Sequence, residues 1–120
     1  MAIVNGKSFY TVPATGQMTS ANVLSTCKAA GMTASCNHPA HGDSKCTQVV
    51  TNYIWSDMRD LLCNGLNGGD YLKCKPLQNI FVYMTKIATW GEGGYESYGV
   101  VDEKLAHGRD HVDKFALCVS

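Results

Sequence analysis

A segment rich in glycine, aromatic and acidic residues lies towards the end of this chain. It reads Trp-Gly-Glu-Gly-Gly-Tyr-Glu-Ser-Tyr from Trp90 to Tyr98. Aromatic rings can stack on the C–H faces of a sugar, carboxylates accept from its hydroxyl groups, and glycine lets the backbone approach a ligand closely. The segment therefore predicts a carbohydrate-binding loop over about residues 85–113. The predicted ligand-binding residues are Trp90, Glu92, Tyr95, Glu96, Tyr98, Arg109 and Asp110.

The same aromatic residues can instead belong to the core. In that interpretation Trp90, Tyr95 and Tyr98 pack the loop onto a sheet and contact no ligand. We favour core packing more clearly for Trp55, which falls in an apolar helical pattern. For the loop itself, both interpretations stay open from the sequence.

The four histidines form two close pairs, each with an acidic neighbour. The two groups are His38, His41 and Asp43, and His107, His111 and Asp110. Histidine nitrogen and carboxylate oxygen together suit zinc or copper. Neither pair falls on a helical pattern that would align its members, so we favour solvated loop histidines and expect no cofactor. A metal ion bound by the four histidines is the alternative.

The sequence lacks the common catalytic fingerprints. It contains no Gly-x-Ser-x-Gly elbow, phosphate-binding loop or dinucleotide-binding motif. Cysteine–histidine catalysis needs a free thiolate beside a base, whereas we expect every cysteine to be in a disulfide. We therefore predict that the protein is not an enzyme. A small hydrolase with a histidine–carboxylate site is the remaining alternative.

The composition disfavours several classes of partner. Ten basic and ten acidic side chains balance in 120 residues, so nothing favours nucleic acid, which usually requires a basic patch. No apolar run approaches the roughly 20 residues of a transmembrane helix. The opening residues lack the basic start and long apolar segment of a signal peptide, and we expect that a leader has been removed ahead of them.

Six cysteines are the strongest compositional signal. An even count in a small, loop-rich chain favours disulfides and an oxidising, extracellular compartment, with reduced core cysteines in a cytosolic protein as the alternative. Zinc is disfavoured because no Cys-x-x-Cys pair occurs. Six cysteines can pair in many ways, and the sequence does not choose among them. We favour Cys27–Cys118, Cys36–Cys46 and Cys63–Cys74, because the last two pairs would close short, turn-rich loops.

Two helices are expected to position these residues. The first begins at Thr19 or Ser20, either of which can cap it, and ends before Gly31, which suits the left-handed residue after a helix. Val23 and Cys27 fall on its apolar face, and Cys27 would tie the helix to the last strand. The second helix is expected from about residue 52 or 56 to residue 63.

Strands are expected at 7–12, 46–51, 79–84, 98–101 and 115–119. The segment 79–84 is apolar on both faces, which predicts a central strand. The turn-rich segments 33–45 and 106–111 are expected to be loops. We therefore predict a single α+β domain over residues 1–120, with two short helices on one side of an antiparallel, disulfide-stapled sheet.

Four stretches, spread over most of the chain, together form a specific pattern of aromatic, methionine and cysteine residues. They are Phe9-Tyr-x-Val-Pro-x-x-Gly-x-Met18, Cys27-Lys-Ala-Ala-Gly-Met32, Phe81-Val-Tyr-Met84 and Phe115-Ala-Leu-Cys118. Together they resemble a secreted, cysteine-rich module of marine invertebrates such as cephalochordates and cnidarians. The resemblance implies a building block of extracellular proteins and supplies no function.

The chain is also similar to C-type-lectin-like domains. Those domains place a cysteine in an early helix and pair it with one in a final strand written Phe-x-x-Cys, here Phe115 to Cys118. Their sugar-binding triplets Glu-Pro-Asn, Gln-Pro-Asp and Trp-Asn-Asp do not occur in this sequence. The resemblance therefore implies a fold and not the calcium-dependent sugar site of that family.

We interpret the sequence as a secreted recognition module, specifically a carbohydrate-binding, lectin-like domain. Its partners would be glycans or a cell-surface or extracellular protein, and the sequence leaves its oligomeric state open. The alternative is a protein-binding adhesive, innate-immunity or toxin module that uses an apolar patch and binds no sugar.

Overall fold

The computed structural model describes residues 2–4, 6–37, 45–47, 54–63, 71–84 and 97–120. Within them the chain forms eight strands and two α-helices. The strands are β1 (Ala2–Val4), β2 (Lys7–Pro13), β3 (Thr33–Ser35), β4 (Cys46–Thr47), β5 (Ile80–Val82), β6 (Tyr98–Val101), β7 (Lys104–His107) and β8 (Phe115–Val119). The helices are α1 (Ser20–Ala29) and α2 (Ile54–Leu62). Short 3₁₀ helices occupy Tyr71–Lys73, Lys75–Leu77 and Gly108–Asp110.

The strands form one sheet in the order β1-β2-β8-β5-β6-β7. Strand β8 runs antiparallel to β2 and parallel to β5. Strand β5 pairs with the beginning of β8, at Phe115 and Ala116, and β3 pairs with its end, at Cys118 and Val119. Strand β3 is in turn parallel to β4. The sheet is therefore mixed, and the prediction of an antiparallel sheet was wrong. Strands β5 and β8 become a parallel pair because the chain leaves β7 at the edge of the sheet and returns to the middle beside β5. Local sequence patterns do not encode such a long-range connection.

Strands β5 and β8 form the middle of the sheet, and the central position of β5 confirms the prediction from the apolar segment 79–84. Ile80, Phe81 and Val82 are all buried, because β5 has β8 on one side and β6 on the other. Strand β8 has the same bounds as the predicted strand at 115–119. Its pairing with β2 joins the early and late parts of the chain directly.

Two apolar cores lie on opposite faces of the sheet. Successive β8 residues alternate between them, as side chains on a strand do: Leu117 belongs to one core and Cys118 to the other. On the first face, here called the α2 face, the sheet is covered by Ile54, Trp55 and Met58. On the second, the α1 face, it is covered by Val23 and Cys27. The prediction that both helices lie on one side was wrong, since strands that are apolar on both faces need cover on both.

Helix α1 begins and ends as its sequence predicts. The side chain of Thr19 accepts a hydrogen bond from the backbone N–H of Asn22 at 3.2 Å. Beyond the helix, Gly31 adopts a left-handed φ of 77°, and the N–H of Met32 donates to the carbonyl of Cys27 at 2.9 Å. Both helix ends are therefore closed by the residues that the sequence analysis assigned to that role.

Three disulfides crosslink the domain. They are Cys27–Cys118, Cys36–Cys46 and Cys63–Cys74, with Cα separations of 5.4, 5.1 and 5.8 Å. These are the three pairs favoured from the sequence, and they leave no free cysteine. The first joins α1 to β8, as expected. Three disulfides are consistent with an extracellular protein.

Several short strands were not predicted. Strand β3 lies in a predicted loop, as do the last two residues of β7, and no strand was expected at β1. Their backbones pair with β8, β6 and β2 respectively. Each is only three or four residues long, too short to show an alternating pattern. Of the predicted strand at 46–51, the first two residues form β4, and residues 48–51 lie outside the described residues.

Candidate functional site

The predicted site falls partly outside the described residues. The predicted ligand-binding residues that lie outside them are Trp90, Glu92, Tyr95 and Glu96, and the same holds for His38, His41 and Asp43 of the metal alternative. The structure does describe Tyr98, Arg109 and Asp110, together with His107 and His111. It also describes both residues that border the segment 85–96, which are Met84 and Ser97.

Met84 and Ser97 are held by the same short segment, residues 18–20, at the start of α1. The hydroxyl of Ser20 donates to the carbonyl of Met84 at 2.9 Å and accepts from its N–H at 3.3 Å. The hydroxyl of Ser97 donates to the carbonyl of Met18. Both serines are buried, where a hydrogen bond is costly to lose. The residues on either side of 85–96 are therefore both attached to residues 18–20.

Gly108 lies against the hydrogen-bonded residues Met18 and Ser97. Its N–H donates to the carbonyl of Ser97 at 2.8 Å. A Cβ atom at this position would lie 1.6 Å from the carbonyl oxygen of Met18. Only glycine therefore allows the two backbones to approach this closely.

The segment that follows Gly108 packs along residues 16–18. The side chain of Gln17 donates to the carbonyl of Arg109 at 2.6 Å. Asp113 makes two hydrogen bonds to Gly16. Its carboxylate accepts from the N–H of Gly16 at 2.7 Å, and its own N–H donates to the Gly16 carbonyl at 3.0 Å. Residues 108–113 are thus held against the part of the chain that holds Met84 and Ser97.

Arg109 and Asp110 are exposed on this surface. A guanidinium group and a carboxylate can donate to and accept from the hydroxyl groups of a sugar. The ring of His111 is half-buried and lies 5.8 Å from the ring of Phe81, centroid to centroid. Among the described residues, no group of three or more His, Cys, Asp or Glu side chains is arranged to hold a metal ion.

Tyr98 lies in the core. Its side chain is 6% exposed, and its ring meets that of Trp55 edge to face at 6.2 Å. Trp55 is 1% exposed, which confirms the prediction that it is a core residue. For Tyr98 the geometry matches the core-packing interpretation, so this ring offers little surface to a ligand and instead fixes the start of β6 on the α2 face.

The sequence analysis missed a groove at the other end of β6. This open groove has a volume of about 380 Å³ and is lined by Lys73, Lys75, Gln78, Asp102 and Glu103. The two lysines flank Cys74, while the two acidic residues form the turn between β6 and β7. In the sequence the acidic pair has the features of a solvated turn, and only the folded sheet brings it beside the lysines.

In the described part of the chain, neither helix has the length and apolar character needed to cross a membrane. Comparison of the chain with known protein families, with curated proteins and with solved structures finds no match.

Proposed function

We propose that the protein is a secreted recognition module that binds carbohydrate through residues 85–113. One observation carries the proposal. Met84 and Ser97, which border residues 85–96, are both hydrogen-bonded to residues 18–20, near the exposed Arg109 and Asp110. A variable binding loop on a rigid scaffold is the usual arrangement of a recognition site.

In this proposal the segment supplies the stacking rings and the acceptors. Trp90 and Tyr95 stack on the sugar, and Glu92 and Glu96 accept from its hydroxyl groups. Arg109 and Asp110 contribute a donor and an acceptor from the adjoining 3₁₀ helix. Tyr98 acts indirectly, by fixing the end of the loop through Trp55.

We also propose that the fold is related to the C-type-lectin-like domains and to the secreted module of marine invertebrates. The pairing of Cys27 in α1 with Cys118 in β8 supports this relation. The sugar-binding triplets of the lectin family do not occur in the sequence, so its calcium site is not part of the proposal. Neither a cofactor nor a catalytic activity is part of it.

A glycan array with the oxidised protein tests the sugar site. We expect binding to a subset of glycans, and a loss of about fivefold to tenfold in Trp90→Ala, because a stacked aromatic ring contributes about 1 kcal/mol beyond its buried area. The matched control is Tyr10→Ala, which removes an exposed aromatic residue of β2 and leaves the loop intact. No glycan signal, or an equal signal in Trp90→Ala, would rule the proposal out.

A protein-binding adhesive, innate-immunity or toxin module is the alternative. In this alternative Val112, which is 56% exposed within residues 108–113, would supply an apolar contact to the protein partner. Free monosaccharides distinguish the two functions, because they would compete with a glycan for the loop and would leave binding to a protein partner unchanged.

A further inference from the structure

The side chain of Gln78 joins the two sides of the groove at the end of β6 by hydrogen bonds. Its amide nitrogen donates to the carbonyls of Leu72 at 2.8 Å and Cys74 at 3.4 Å. Its amide oxygen accepts from the N–H of Glu103 at 2.9 Å. Gln78 therefore ties the segment that carries the lysines to the turn that carries the carboxylates.

Both sides of the groove are also attached to the rest of the fold. On the lysine side, Cys74 is buried and bonded to Cys63 at the end of α2. Next to Gln78, the N–H of Asn79 donates to the carbonyl of Val100 at 2.6 Å. Both sides of the groove are therefore attached to the fold, one to α2 through a disulfide and the other to β6.

The turn between β6 and β7 is a tight one. Asp102 and Glu103 have left-handed φ values of 53° and 63°, and they connect the paired residues Val101 and Lys104. Two central residues with positive φ are typical of the two-residue turn that matches the twist of a hairpin. Both acidic residues of this turn line the groove.

The charges in the groove are separated and face one another without pairing. Lys73 and Lys75 come from one side, and Asp102 and Glu103 from the other, and all four are exposed. Within the described residues, no ion pair joins the two lysines to the two carboxylates. A simple anion would be attracted by one side and repelled by the other. A molecule that carries both charges would be attracted by both.

We infer that this groove binds a small organic zwitterion, with its carboxylate or phosphate at Lys73 and Lys75 and its ammonium group at Asp102 and Glu103. The volume of about 380 Å³ lies at the lower end of the range for small-molecule pockets. Because the charged groups are exposed, binding is weak and falls with added salt.

This site is independent of the proposed sugar site. None of the groove's four charged side chains is among the residues proposed to contact sugar, and Asp102 lies at the opposite end of β6 from Ser97, about 17 Å away along an extended strand. Loss of glycan binding and loss of zwitterion binding are therefore separate outcomes.

Amide chemical shifts of the oxidised, ¹⁵N-labelled protein test the inference. The probes are phosphoethanolamine and glycylglycine, compared with ethanolamine and inorganic phosphate at equal ionic strength. We expect saturable shifts at Lys73, Lys75 and Glu103 with both zwitterions, and about threefold to fivefold weaker binding of each single-charge probe, as expected for losing one exposed charge contact. Equal binding of phosphate alone or of ethanolamine alone, or no saturable shift at these amides, would overturn the inference.

Two substitutions locate the site. Lys75→Gln and Asp102→Asn should each weaken phosphoethanolamine binding about threefold, and asparagine tolerates the left-handed backbone at position 102. The matched control is Lys104→Gln, which removes an exposed lysine that does not line the groove. An effect of Lys104→Gln as large as that of Lys75→Gln would mean general surface charge and would refute a defined site.

Discussion

The two faces of the sheet are stabilised in different ways. The α2 face buries large side chains, among them Phe9, Trp55, Met58, Leu77 and Leu117. The α1 face holds several small ones, among them Ala14, Ala34, Ala106 and Ala116. It is also crosslinked through its core by Cys27 and Cys118, both 0% exposed. Both faces contain a disulfide, since Cys74 of the Cys63–Cys74 bond belongs to the α2 core. The α1 face differs in combining smaller side chains with the crosslink of longest sequence separation.

The difference bears on the proposed sugar site. Residues 18–20, which hold Met84 and Ser97, lie at the start of α1, the helix that is crosslinked to β8. The hydrogen bonds of the buried serines act there beside the buried side chains of Met18 and Met84. Such bonds are directional, so they fix the positions of the loop ends more sharply than packing alone.

Removal of the long crosslink should have the largest effect. Cys27→Ala combined with Cys118→Ala opens a disulfide with a sequence separation of 91, which the chain-entropy model values at about 4.6 kcal/mol. Urea denaturation measures the loss. The control is Cys63→Ala combined with Cys74→Ala on the α2 face, with a separation of 11 and an expected loss of about 3 kcal/mol. Equal losses would show that the α1 face does not depend specially on its crosslink.

Truncation on the α2 face should cost slightly less. Trp55→Ala leaves a cavity among buried side chains, and we expect it to lower the free energy of unfolding by about 4 kcal/mol. Trp55→Phe keeps much of the ring volume and serves as the control with a smaller loss. A loss below about 1 kcal/mol in Trp55→Ala would contradict the view that volume stabilises this face.

A smaller but more local effect is expected at the loop anchor. Gly108→Ala forces the backbones of Gly108 and Met18 apart, which should cost about 3 kcal/mol, as overpacking does. It should also weaken glycan binding, because Ser97 shifts with it. Gly31→Ala is the control, because nothing lies within 4 Å of the Cβ atom that it would add. Its positive φ alone should lower the free energy of unfolding by about 1 kcal/mol, and glycan binding should not change.

Parts of the fold that depend on local signals could be predicted. Helix α1 was predicted from its cap and its closing glycine, and β2 from its aromatic residues and Pro13. The central position of β5 followed from an apolar pattern on both faces. Strands β3 and β7 could not be predicted, because only pairing with distant or hairpin neighbours makes such short segments strands.

The two proposed sites also differ in how far local sequence signals could predict them. The composition of residues 90–98 pointed to a loop, whereas Ser20, whose hydroxyl helps to hold it, looks like any polar residue at the start of a helix. The groove could not be predicted at all. Its lysines and carboxylates are brought together by β5, β6 and Gln78, and nothing in their spacing along the chain records that contact.

The position of β8 has a consequence for biosynthesis. Among the described strands it is the last in the chain, yet β2, β3 and β5 all pair with it. During synthesis these three strands lack their common partner until residues 115–119 have left the ribosome, and the thiol of Cys27 lacks Cys118 for the same time. Formation of the central sheet therefore waits for residues 115–119, and any disulfide that Cys27 formed before then would join it to a cysteine other than Cys118.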